Sequence, residues 1–257
     1  MDFACQSICS QVRRQPESVL GLATGNTMIP LYARLVEEHR RGLDCSRVRT
    51  FNLDEYVGLS PDHPSSYAHY MNEHFFEHVA LADSQLPRGL ATNLEEHCLE
   101  YEQAIAQAGG IDLQLLGLGQ NGHIGFNEPT SSLSSNTRVR TLTQSTRQAN
   151  QGGFASHERV PAQVITMGVA TILKARQCLL LAYGASKARA VAAMIEGPVT
   201  SMCPASVLQF HAQCTVVVDE AAASQLTLRD YFLECEANSE AGPQGLRQDL
   251  DENRRRP

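Results

Sequence analysis

No apolar stretch in the 257 residues approaches the ~20 residues of a membrane-spanning helix. The N-terminus, Met1-Asp-Phe-Ala-Cys-Gln-Ser, lacks a basic segment followed by an apolar core, so the chain reads without a secretory signal peptide. Basic charge is scarce as well. With 21 Lys and Arg against 28 Asp and Glu, the net charge is −7. That disfavours a general surface for nucleic acid or anionic membrane, while leaving local basic pockets open. The eight cysteines form no C-x-x-C pair and no Cys/His cluster with zinc-finger spacing. Several lie in apolar runs, such as Cys178 before Leu179-Leu-Leu, and read as buried free thiols in a reducing cytoplasm. The G-x-x-x-x-G-K-[ST] phosphate loop is missing, and so are internal repeats and low-complexity blocks.

What is present is an alternation. At 42% hydrophobic and 19% charged, the chain has ample core for one α/β domain or two small ones. Apolar runs of strand length occur at 18–23, 48–53, 111–116, 178–182 and 215–219. Helical stretches fall between or before them, at 1–16, 30–41, 65–79, 94–108 and 187–195. Thr137-Arg-Val-Arg-Thr alternates like a half-buried strand. Residues 144–163 are polar and irregular, with Gly152-Gly153 in the middle, and have the make-up of a mobile lid. Val164 to Leu173 reads as a turn into a short helix. The pattern specifies an α/β fold: an open, mostly parallel, doubly wound (Rossmann-like) sheet with helices on both faces. The expected organisation is one domain over 1–235, followed by a polar, disordered tail over 236–257.

Chemistry-bearing residues gather at strand ends. The buried run 111–116 leads into Gly117-Leu-Gly-Gln-Asn-Gly-His-Ile-Gly-Phe-Asn-Glu-Pro. His123 and Glu128 in this loop look like an acid/base pair, with amides at Asn121 and Asn127. Gly117 to Gly122 matches G-x-G-x-x-G, but Gly125, Asn127 and Pro129 forbid the helix that a dinucleotide site requires. Thr24-Gly25-Asn26-Thr27, between a strand and a helix, is suited to hold a phosphate, with plain turn chemistry as the alternative. Asp54-Glu55 ends the next strand, where paired carboxylates serve catalysis or cap a helix. Arg138 and Arg140 share a strand face; they hold an anion or line a solvated edge. Lys187, near a helix start, points to an anionic partner or is an ordinary surface lysine. His74 and His78 stand four apart without the motif of a zinc helix. Together these residues describe a phosphorylated small molecule and proton transfer near a carbonyl, with no metal.

Leu20-Gly-Leu-Ala-Thr-Gly-Asn-Thr, Phe51-Asn-Leu-Asp-Glu-Tyr-Val-Gly-Leu, the 116–129 segment and Tyr183-Gly-Ala-Ser-Lys-Ala resemble the glucosamine-6-phosphate deaminases, in order and with their spacing. The 6-phosphogluconolactonases, which share the fold, match less well around Asp54-Glu55 and His123–Glu128. The resemblance implies conversion of glucosamine 6-phosphate and water to fructose 6-phosphate and ammonia in the cytoplasm, without cofactor or metal. It implies that His123 opens the sugar ring with Glu128, and that Asp54 moves the C2 proton to C1 through an enolamine. Thr24, Gly25, Asn26, Thr27 and Lys187 fall on the phosphate-binding positions. Asn121 stands where many members carry Asp, which excludes a His–carboxylate relay there. Gly152 stands where the family often has a phosphate-binding Arg, implying a raised KM or a changed substrate. Ser132, Arg138 and Arg140 match effector-binding positions of allosteric members, whereas the N-terminal partner strand is expected to be missing. A homo-oligomer stays open. Two other readings stand beside the main one: an isomerase/deaminase for galactosamine 6-phosphate, and a catalytically weak sugar-phosphate sensor.

Overall fold

The computed structural model of the chain describes residues 1–238. In chain order its elements are α1 (Asp2–Arg14), β1 (Val19–Leu22), α2 (Ile29–Arg40), β2 (Arg49–Asn52), β3 (Asp54–Tyr56), α3 (Tyr67–His74), β4 (Asp83–Gln85), α4 (Leu94–Gln107) and β5 (Leu113–Gly117). There follow β6 (Arg138–Thr141), α5 (Gln144–Asn150), β7 (Gln163–Thr166), α6 (Val169–Leu173), β8 (Gln177–Ala182), α7 (Ala188–Ile195), β9 (Cys214–Val218) and α8 (Arg229–Ala237). Short 3-10 turns occur at Phe76–His78, Gln151–Gly153, Ala185–Lys187 and Pro204–Phe210.

Six strands form one sheet in the order β4-β2-β1-β5-β8-β9, every neighbouring pair parallel. β1, β5 and β8 are almost wholly buried, which is why they read as unbroken apolar runs. The chain moves outward from β1 to β4, then returns across it to β5 and on to β9. The rule that such crossovers are right-handed assigns α2 and α3, which pack together, to one face and α4 and α7 to the other. Tyr32 of α2 packs against Tyr70 and Phe75 at 6.4 and 5.1 Å, while Tyr101 of α4 meets Phe51 at 5.7 Å. The strand order reverses between β1 and β5, and in open α/β sheets ligands bind in the crevice beyond the strands' C-terminal ends at such a reversal.

The expected doubly wound sheet is therefore present, with an addition. β3, β7 and β6 form a second, antiparallel sheet. The strand expected over 48–53 ends at Asn52, and Asp54 starts a new one. The turn expected from Val164 is β7, with α6 after it. Its partners come from distant segments, so local pattern gave no sign of the pairing. The irregular segment 144–163 contains α5, capped by Thr143, whose side chain accepts from the Thr146 backbone N–H. The helix expected over 65–79 breaks at Phe75. β4, an edge strand of three polar residues, and the short turn at Pro204–Phe210 went unread. α8 crosses the expected boundary at 235, and the tail over 239–257 lies outside the described residues.

Candidate active site

Asp54 sits where the chain passes from one sheet to the other. The Leu53 N–H donates to Leu22 O at 3.0 Å and Leu53 O accepts from Met167 N at 2.6 Å, which ties this crossing to β1 and β7. The Asp54 carboxylate is 6% exposed and accepts no hydrogen bond from the described residues. Burial, reinforced by the charge of Glu55, pushes it up to about 8. Glu55 behaves differently. Its carboxylate accepts from the backbone N–H groups of Tyr56 (2.7 Å), Tyr67 (3.1 Å) and Ala68 (2.9 Å). Burial raises Glu55, and these three bonds oppose the rise. Of the adjacent acids, one caps α3 and the other accepts no hydrogen bond among the described residues.

The loop after β5 is pinned on three sides. Its amide staple is Asn127, whose Nδ2 donates to Ile124 O (2.9 Å) and Met167 O (2.8 Å). Asn127 Oδ1 accepts from Arg138 Nη1 at 2.9 Å, and Phe126 N donates to Thr166 Oγ1 at 3.0 Å. Gly125 has φ +55°, and a Cβ there would stand 3.3 Å from Asp54 Oδ2, so the loop and Asp54 are immediate neighbours. At Gly119 a Cβ would fall 2.2 Å from His123 Cε1; the imidazole lies against this stretch of backbone, and only glycine leaves the space.

The His123 tautomer follows from geometry. Asn121 Oδ1 accepts from the His123 backbone N–H at 3.3 Å, which identifies that atom as the oxygen. The same oxygen is 2.7 Å from His123 Nδ1, so Nδ1 carries the proton and Nε2 presents a lone pair. The ring is half-buried. Burial lowers its pKa to about 4; the charge of Glu128 opposes this and that of Lys187 adds to it. A neutral imidazole and a buried carboxylate, Glu128 at 7% exposure, thus stand close enough to feel one another.

The expected phosphate loop follows β1. Thr24 and Thr27 are half-buried, Gly25 and Asn26 exposed. Gly25 turns the chain at φ +109°, its carbonyl accepting from Met28 N (2.9 Å) and the Tyr70 hydroxyl (2.8 Å). α2 begins at Ile29, with Met28 as its uncapped N-cap, so Thr27 lies in the turn before the helix. Lys187 closes a 3-10 turn and is the N-cap of α7. It is half-buried, burial lowers its pKa, and among the described residues it has no carboxylate partner. The effector candidates diverge. Arg138 is drawn into the loop through Asn127, with Nη2 buried and unpartnered among the described residues. Ser132 is exposed, and Arg140 is half-buried two residues along β6. Gly152 occupies an open turn with no atom within 4 Å of a would-be Cβ.

Sequence reasoning missed Thr146, which donates to Glu128 Oε1, and Asn150, which reaches the Tyr56 hydroxyl at 3.1 Å. The Thr143-x-x-Thr146 cap pattern was the available signal. A separate cleft of about 800 Å³ lies behind Glu55, bordered by Ser84 and the loop to His97; Asp54, His123, Glu128 and Lys187 do not line it. Among the described residues no cluster of His, Cys, Asp or Glu has metal-binding geometry, His74 and His78 included.

The family model for glucosamine-6-phosphate isomerases and 6-phosphogluconolactonases matches residues 2–217. The chain belongs to this family. Within it, a glucosamine-6-phosphate deaminase of Geobacillus sp. (strain WCH70) is 54% identical over 224 residues, covering 86% of this chain and 89% of the relative. That of Hahella chejuensis is 52% identical, covering 85% and 84%. Among solved structures, a monomeric glucosamine-6-phosphate deaminase superposes with a TM-score of 0.84 at 45% identity, covering 87% of this chain and 94% of that one. The 6-phosphogluconolactonase of Trypanosoma cruzi shares the fold of the isomerase/lactonase family, with a TM-score of 0.71 at 22% identity, covering 88% and 92%.

Proposed function

We propose that the chain is an aldose–ketose isomerising deaminase acting on glucosamine 6-phosphate. The observation that carries this reading is the division of labour at the strand ends: a buried carboxylate at Asp54, without a hydrogen bond among the described residues and against Gly125, and in the same loop as Gly125 a neutral imidazole whose Nδ1 is engaged by Asn121. The sugar phosphate lies across the crevice. Its phosphate rests on the Thr24–Thr27 turn and Lys187, whose ammonium, without a carboxylate partner among the described residues, supplies charge in a partly dry setting.

His123 Nε2 takes the proton of the anomeric hydroxyl and returns it to the ring oxygen, opening the ring to the aldehyde. Glu128 supports the imidazolium that forms in passing. The carbonyl at C1 acidifies C2; Asp54 removes that proton while the C1 oxygen takes one from the substrate's own ammonium group, leaving an enolamine. Asp54 then gives the proton to C1, leaving an imine at C2. Water adds to the imine, ammonia departs, and the ketose phosphate remains. A carboxylate raised by burial is a stronger base than one in water, which suits abstraction from carbon. The free thiols of the described residues suit a reducing cytoplasm.

The test is ammonia release from glucosamine 6-phosphate by wild type and Asp54→Asn. Release by the first and a loss of about a thousandfold or more in the second is the expected result, the removed base being worth several kcal/mol of barrier. Release from galactosamine 6-phosphate alone would shift the reading to the C4 epimer. Binding of both sugars without release would leave a sensor.

A further inference from the structure

Resting on the deaminase reading, we propose that Thr146 is a positioning residue for Glu128, through which α5 holds the carboxylate in its working orientation. Glu128 is a buried acid, and among the described residues its carboxylate accepts one side-chain hydrogen bond, from Thr146 Oγ1 to Oε1. Behind that bond stands a ladder. Thr143 Oγ1 lies 3.0 Å from Thr146 Oγ1 and 2.9 Å from Ser145 Oγ, and it accepts the Thr146 backbone N–H at 3.2 Å.

The direction of this ladder is fixed at its inner end. An ionised carboxylate only accepts, so the Thr146 hydroxyl donates to Glu128 and its oxygen is left to accept from Thr143. Thr143 in turn accepts from Ser145 and from the Thr146 amide. Every hydroxyl therefore has one donor role, and at the buried inner end the Thr146 hydroxyl cannot turn away without leaving Glu128 Oε1 without its side-chain donor. The outer members, Thr143 and Ser145, are exposed, and the inner end is buried. The far end of α5 is tied as well: Asn150 Nδ2 donates to the hydroxyl of Tyr56, two residues beyond Asp54. One short helix thus touches Glu128 directly and the segment carrying Asp54 through its last residue. With Oε1 held by Thr146, the other carboxylate oxygen is the one left for His123.

The experiment compares wild type, Thr146→Val and Thr146→Ser, each alone and with Glu128→Gln, in steady-state ammonia release together with melting temperatures. Valine keeps the volume and removes the hydroxyl; serine restores it. The expected result is that Thr146→Val lowers kcat about tenfold with KM within about twofold, the scale of one hydrogen bond to a charged group. Thr146→Ser recovers to within about threefold on the same scale. In the Glu128→Gln background the valine change costs less than about twofold, because a residue that acts through Glu128 is non-additive with it. Equal losses in both backgrounds, or a kcat within about twofold of wild type for Thr146→Val, would overturn the inference while the deaminase reading stands. A wild type that releases no ammonia from either amino-sugar phosphate overturns the deaminase reading, and this inference with it.

Discussion

At the scale of single residues, the site turns on how neighbours set protonation. Asp54 and Glu55 are adjacent and both buried, yet only Glu55 is saturated with backbone donors. The sequence offered a capping role and a catalytic role for this pair; the structure shows the cap at Glu55, and the catalytic role remains the proposal for Asp54. At His123 the orienting partner is an amide. Asn121 fixes the same tautomer that a carboxylate would, but contributes no charge to hold an imidazolium. Asn121→Asp places an anion against Nδ1 and favours the protonated ring. The His123 midpoint, held down at about 4, is then expected to rise by about one unit or more, the usual effect of an opposite charge at this range. Following the imidazole resonances by NMR as pH is varied measures this. A midpoint that stays put would mean that burial, and not the missing charge, sets the value.

At the scale of elements, the 3-10 turn Gln151–Gly153 after α5 carries the chain's clearest departure from the pattern it resembles. Gly152 is exposed, with open space around its α-carbon. An arginine fits there without displacing anything, and a guanidinium on phosphate is worth about 1.5–3 kcal/mol. Gly152→Arg is therefore expected to lower the KM for glucosamine 6-phosphate by about tenfold or more with kcat little changed, read in a steady-state titration. An unchanged KM would mean that Thr24–Thr27 and Lys187 already saturate the phosphate. Elements differed in how far they could be read ahead. β1, β5 and β8 are buried on both faces, so their residues alone announce them. β3 and β7 exist because they pair with each other across more than a hundred residues, and Asp-Glu-Tyr has no strand pattern of its own. The site divides in the same way. Asp54, His123 and Glu128 stand beside strand ends and were visible. Thr146 meets Glu128 only because the second sheet folds α5 back over the loop.

At the scale of the whole molecule, keeping the Asp54 carboxylate dry costs stability, and the cost depends on pH. In the unfolded chain Asp54 titrates near the ordinary ~3.9 for aspartate. In the fold it is raised to about 8. Between these values the folded state holds a proton that the unfolded state has lost, so stability falls as pH rises through that window and levels off above it. The slope from one such group is at most about 1.4 kcal/mol per pH unit. Asparagine has no charge to desolvate. Asp54→Asn is therefore expected to melt at nearly the wild-type temperature near pH 4 and above it at pH 9, each 1 kcal/mol being worth about 2–4 °C at this size. Glu55 is also raised, but it is present in both proteins, so its larger part cancels in the difference. Thermal unfolding of the two proteins from pH 4 to 9 decides the point. Curves that run parallel would show that Asp54 is hydrated in the free protein, and that its dry, strongly basic state is reached only when substrate fills the crevice.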